Sequence, residues 1–132
     1  MNDLKKIYTS TRFAVKGLKH AYRGDKSFRM EIVYGLPIYI ALGWVLSPLS
    51  ELEFLLFIFS YVLILLIELI NTAFEHMLER VHPEEHVQIG KSKDISSAAV
   101  LLAFLFAGVV VLTLLYTHFI AYIPFALGSV YA

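Results

Sequence analysis

Three stretches of this chain are long and apolar enough to cross a bilayer, and they leave almost nothing to cover them in water. The first, IVYGLPIYIALGWVLSPL, runs from Ile32 to Leu49 without a charge. The second runs from Phe54 to Phe74 and carries one acid, Glu68, and one amide, Asn71. The third opens near Ile95, and no Asp, Glu, Lys or Arg follows it as far as Ala132. A spanning helix takes about 20 residues, which all three approach or exceed. One such run alone fits a buried soluble helix. Three in 132 residues, 58% of them hydrophobic, exceed what a soluble domain of this size hides. The expected fold is therefore an all-α membrane protein: one domain over residues 1–132, with transmembrane helices at 32–49, 54–74 and 96–116 and a kink at Pro37.

The charges sort by side. Lys5, Lys6, Arg12, Lys16, Lys19, Arg23, Lys26 and Arg29 precede the first span, and Arg80, Lys91 and Lys93 fall in the expected loop at 76–94. The intervening loop, SPLSELE, has no base and holds Glu51 and Glu53. Basic loops stay cytoplasmic, so the expected topology is N-terminus inside and C-terminus outside. Within residues 1–29, Ile7, Ala14, Leu18 and Tyr22 recur at helical spacing among the bases, as in an amphipathic helix lying on the membrane surface. No apolar core of signal-peptide length precedes the first span, so this segment is expected to be retained. The absence of cysteine excludes disulfides, thiolate metal sites and a cysteine nucleophile.

The end of the second span, IELINTAFEHMLER, is where chemistry enters. Glu68, Asn71 and Glu75 are spaced i, i+3, i+7 and so share one helical stripe, which Glu79 continues and Thr72 borders. A carboxylate at membrane depth is costly unless it is paired or lines a wet cavity. A structural reading stays open, with the shallower acids marking the helix end and Asn71 joining helices. The chemical reading gives the deeper Glu68 the part of general base, since a carboxylate drawn out of water accepts protons more readily. It gives Glu75 that of a ligand to Mg²⁺, which prefers oxygen donors and substrate phosphates. Across the loop, GKSKDISSAAV places Lys91, Lys93 and Asp94 just before the expected third helix, where Lys93 can neutralise phosphate. The glycine pattern of a P-loop is missing. HPEEH, His82 to His86, matches a zinc-peptidase pattern by letter, but it lies beside Pro83 with no further ligand following and reads as a solvated loop.

ELINTAFE, followed about eighteen residues later by KDISSAAV, resembles the bacterial integral-membrane diacylglycerol kinases and the related undecaprenol kinases. KGLKHAYRGDKSFRMEI upstream and THF near the end of the third span extend the resemblance from about residue 6 to residue 119. It implies a homotrimer in the bacterial inner membrane, three spans and a surface helix per subunit, and transfer of the γ-phosphoryl group of MgATP to a lipid hydroxyl. By position, the resemblance makes Glu68 the base and Asn71 a support for the reacting groups. It gives Asp25 and Glu75 to the metal and Lys93 and Asp94 to the nucleotide, with His86 and Gly90 in the loop covering it. Glu31 matches a further acid near the site and Lys6 a basic position. This chain departs from the family pattern at Asp25, where many relatives carry glutamate, at Glu79, which replaces an aspartate, and in PEEHVQIGK. Residues 117–132 follow the third span as a C-terminal extension, and the chain continues past Phe119, where the resemblance ends. Diacylglycerol is the expected acceptor and undecaprenol the nearest alternative. A proton path through Glu68 and Glu75, or a non-catalytic relative, are the other readings. Nothing points to nucleic acid.

Overall fold

The computed structural model describes residues 3–81, 84 and 86–120, and every regular element among them is helical. Helix α1, Asp3–Gly24, is the amphipathic segment, with Leu4, Ile7, Phe13 and Leu18 left exposed along it. It stops before residue 29 because Asp25 leaves helical geometry, at φ −103° and ψ 128°, and caps the next helix. The Asp25 Oδ1 accepts from the Phe28 N–H at 2.6 Å, a cap that contributes about 1 kcal/mol to such a helix start.

Helix α2, Lys26–Val45, begins six residues before the expected span and ends four before Leu49. Instead of a simple kink at Pro37, the helix widens to a π-helical turn over Glu31–Gly35, immediately ahead of the proline. Proline has no N–H and crowds the preceding turn, and one wider turn absorbs both effects. The Glu31 carbonyl accepts from the Leu36 N–H and from the Tyr61 hydroxyl, so the turn is tied to the neighbouring helix.

Helix α3, Glu51–Val81, starts on a capping box in which the Ser50 N–H and hydroxyl both donate to Glu53 Oε2, at 2.8 and 2.7 Å. Its 31 residues rise about 46 Å, well past a hydrocarbon core of about 30 Å, so α3 outruns the expected 54–74 span. Helix α4, Val87–Ile120, is capped by His86, whose Nδ1 accepts from the Gln88 N–H. The connection expected at 76–94 is thereby reduced to 82–86. Lys91, Lys93 and Asp94 lie inside α4, not before it, and the free N–H groups of its first turn lie nearer Val87. Hydropathy marks depth in the bilayer, whereas a helix continues through charged residues until a cap or breaker stops it. Of the expected extension, residues 117–120 complete α4 as a π-helical turn, and residues 121–132 lie outside the described residues.

The bundle closes mainly along α3 and α4. Ile64 packs against Ala103 and Ala107, small residues one turn apart that let the backbones approach. Further along, Leu46, Phe57 and Leu114 join the ends of all three spans. Tyr39 of α2 lies over Phe57 and Tyr61 at ring separations of 4.9 and 4.7 Å, and its hydroxyl meets Ser60 Oγ at 3.2 Å. At the same end His118 Nε2 stands 3.2 Å from Glu53 Oε1. The α1–α2 corner and the α3–α4 connection share the opposite end, to which all eleven Lys and Arg residues belong.

Candidate active site

At the basic end, α3 presents its polar stripe to α2 on one side and α4 on the other. Glu68 is only 4% exposed, and the Ser27 side chain at the start of α2 stands beside it. Asp25, Glu31 and Glu75 are the acids near enough for their charges to act on Glu68. Four carboxylates thus gather where α1 turns into α2. The turn exists because Asp25 caps α2, so one residue both shapes the corner and contributes to the cluster. Glu31 is half-buried on the π-helical turn, and its Oε2 lies 3.1 Å from where a Cβ on Gly35 would sit. Glycine at 35 gives the Glu31 carboxylate the room to fold back.

On the α4 side, Ser96 Oγ donates to Asn71 Oδ1 at 2.5 Å, and Asn71 Nδ2 donates to Glu75 Oε1 at 3.4 Å. Above them Lys93 Nζ meets Glu79 Oε1 at 2.8 Å. The structure therefore brings together Asp25, Glu31, Glu68, Asn71 and Glu75, with Lys93 directed back onto α3. It leaves Lys6, His86, Gly90 and Asp94 exposed. Lys6 lies eighteen residues before Gly24, about 27 Å along α1, and is not brought to Glu68 within one chain. From the HPEEH segment, His82, Pro83 and Glu85 lie outside the described residues, and His86 serves α4 as its cap.

Several residues of the site escaped sequence reasoning. Ser27 had no periodic signal, being set by the corner at Asp25. His76 packs against that corner, its Cε1 3.9 Å from where a Cβ on Gly24 would be. Thr72, by contrast, borders the stripe in the sequence already, and it is buried with its hydroxyl unpartnered among the described residues. Ser96 did carry a signal: it lies one seven-residue repeat before the buried Ala103, on the stripe of α4 that meets α3.

Three apolar helices and an amphipathic N-terminal helix, with one buried and three partly exposed carboxylates at the basic end, define a multi-pass α-helical membrane protein with an acidic interfacial site. The model of the prokaryotic diacylglycerol kinase family matches residues 12–115. The chain belongs to that family, and so to a family of lipid kinases. It is 34% identical to the diacylglycerol kinase of Haemophilus influenzae over 107 residues, covering 81% of this chain and 89% of the relative. It is 32% identical to that of Escherichia coli K12 over 114 residues, covering 86% and 92%, and 33% identical to that of Pseudomonas aeruginosa over 100 residues, covering 76% and 80%.

Membership of a kinase family implies ATP and a divalent cation in general terms. The donor set suits such a cation, since the cluster offers only carboxylate oxygens and one Asp25 oxygen remains beyond its capping bond. Among the described residues no three acids or histidines converge tightly enough to cage a metal alone.

Proposed function

We propose that this chain transfers the γ-phosphoryl group of MgATP to the free hydroxyl of diacylglycerol, giving phosphatidic acid. The observation that carries the reading is Glu68, a carboxylate buried at the basic end of an apolar helix and within reach of the charges of Asp25, Glu31 and Glu75. Family membership supports the reaction, and the relatives named above carry diacylglycerol in their names.

Glu68 accepts the proton of the lipid hydroxyl as that oxygen bonds to the γ-phosphorus, while the bond from phosphorus to the departing ADP oxygen breaks. Glu68 is only 4% exposed among apolar helices, and exclusion of water from it limits wasteful hydrolysis. Asp25 and Glu75 would hold Mg²⁺, with Glu31 as a further acid beside the site. When bound, the cation neutralises phosphate charge and orients the transferred group. Asn71 supports Glu75 and the reacting groups. Lys93 and Asp94 meet the nucleotide, with His86 and Gly90 beside it. Phosphoryl transfer needs positioning and charge neutralisation more than covalent chemistry, so this small set suffices.

Lys6 lies about 27 Å along α1 from the corner at Gly24, so a part for it in the reaction would place it at the site of a neighbouring copy. A homotrimer meets that need, and outward apolar residues such as Trp44, Leu102 and Leu112 offer surfaces for it or for lipid. The segregation of all bases at the site end supports a cytoplasmic site and an outward C-terminus, and membership of the family supports residence in the bacterial inner membrane.

The test is transfer of labelled γ-phosphate from MgATP in mixed micelles offering diacylglycerol or undecaprenol separately. Label in phosphatidic acid is expected. Label only in undecaprenyl phosphate would keep the chemistry and replace the acceptor. A folded oligomer that labels neither would overturn the kinase reading.

A further inference from the structure

We infer that Ser96 is a positioning residue that orients Glu75 through the Asn71 amide and so sets the strength of divalent-cation binding. The inference rests on the kinase reading above, in which Glu75 is a metal ligand.

A primary amide has a donating side and an accepting side, while an ionised carboxylate only accepts. Asn71 serves Glu75 only with Nδ2 turned toward it, and its Oδ1 then needs a donor from the other side. Ser96 is that donor, at 2.5 Å, whereas the Nδ2 contact to Glu75 is 3.4 Å. Hydrogen bonds weaken with length, so the shorter bond governs which way the amide faces and the longer one follows. Asn71 is 9% exposed, so an Oδ1 deprived of Ser96 has little access to water and must turn toward another donor. That turn releases Glu75.

Serine in a helix has a local alternative, donation to the carbonyl four residues back. Ser92, one turn earlier, takes it at Gln88. Ser96 instead reaches across to α3. It lies on the stripe of α4 that carries Ala103 and Ala107, whose small side chains hold the two helices close. The packing that builds the bundle thus delivers a hydroxyl to the site. Groups behind a metal ligand typically change metal affinity by roughly 10- to 100-fold when removed, and a weak 3.4 Å link places Ser96 near the lower figure.

The experiment titrates Mn²⁺ into the full-length protein in micelles, reading free Mn²⁺ by electron paramagnetic resonance, for the unaltered chain, Ser96→Ala and Ser96→Thr. Ser96→Ala should weaken binding roughly 10-fold, and Ser96→Thr, which keeps the hydroxyl, should restore it to within about twofold. The Mg²⁺ concentration for half-maximal phosphoryl transfer should rise in parallel for Ser96→Ala, with the KM for lipid unchanged. On an Asn71→Ala background, Ser96→Ala should add nothing, because the two act as one unit. If Ser96→Ala binds Mn²⁺ like the unaltered chain, Ser96 has no such role and the kinase reading stands. If the unaltered chain takes up no Mn²⁺, either alone or with a non-hydrolysable ATP analogue beyond what the analogue itself binds, the metal assignment at Glu75 falls and the inference falls with it.

Discussion

The Tyr61 hydroxyl donates to the main-chain carbonyl of Glu31 at 2.8 Å, joining the middle of α3 to the one turn of α2 that is not α-helical. That turn carries the Glu31 side chain into the acidic cluster, so a bond made in the apolar interior helps to set an acid at the interface. Tyr61→Phe keeps the ring against Tyr39 and removes only the hydroxyl. It should lower stability by about 0.5–1.5 kcal/mol, as measured by unfolding in mixed micelles, and reduce turnover less than tenfold. An unchanged stability would show that the π-helical turn holds without Tyr61.

Glu68→Gln preserves volume and removes the proton acceptor. Turnover with saturating lipid and MgATP should fall by on the order of 100-fold or more, with the helical circular dichroism unchanged. Near-normal turnover would remove Glu68 from the chemistry.

Asp25 is both a helix cap and a proposed metal ligand, and substitutions separate the two. Asn caps as well as Asp, so Asp25→Asn should keep stability and raise the Mg²⁺ requirement several-fold. Asp25→Ala should lose about 1 kcal/mol of stability as well. Asp25→Glu, which reaches one methylene further, should leave activity equal or improved. Loss of activity in Asp25→Glu with the oligomer intact would count against a metal role.

Lys93 is held by Glu79 in the chain without nucleotide, so phosphate must compete with a carboxylate for it. Exposed ion pairs contribute little to stability, and Glu79→Gln should leave unfolding unchanged while lowering the KM for MgATP a few-fold. Lys93→Met should raise that KM. An unaltered KM in both variants would show that this lysine does not meet the nucleotide.

Membrane residence, the number of spans, the basic end and the placing of Glu68, Asn71 and Glu75 on one face of a helix were all legible in the sequence. Each depends on residue character summed over a window, or on a fixed repeat within one helix. Hydropathy in Ile32–Leu49 and the seven-residue reach from Glu68 to Glu75 need no knowledge of neighbours. Where the helices start and stop was less legible, since caps such as Asp25 and His86 act through local geometry that hydropathy does not register.

Which groups meet was decided only by the tertiary structure. Ser27 reaches Glu68 because Asp25 turns the chain there, and Ser96 reaches Asn71 because Ala103 and Ala107 let α4 approach α3. The same approach lets Lys93 turn back to Glu79, although fourteen positions separate them in the chain. Sequence spacing determines a face within one helix. The angle and distance between two helices come from how their side chains interlock, and that interlocking brings three scattered acids near one buried carboxylate.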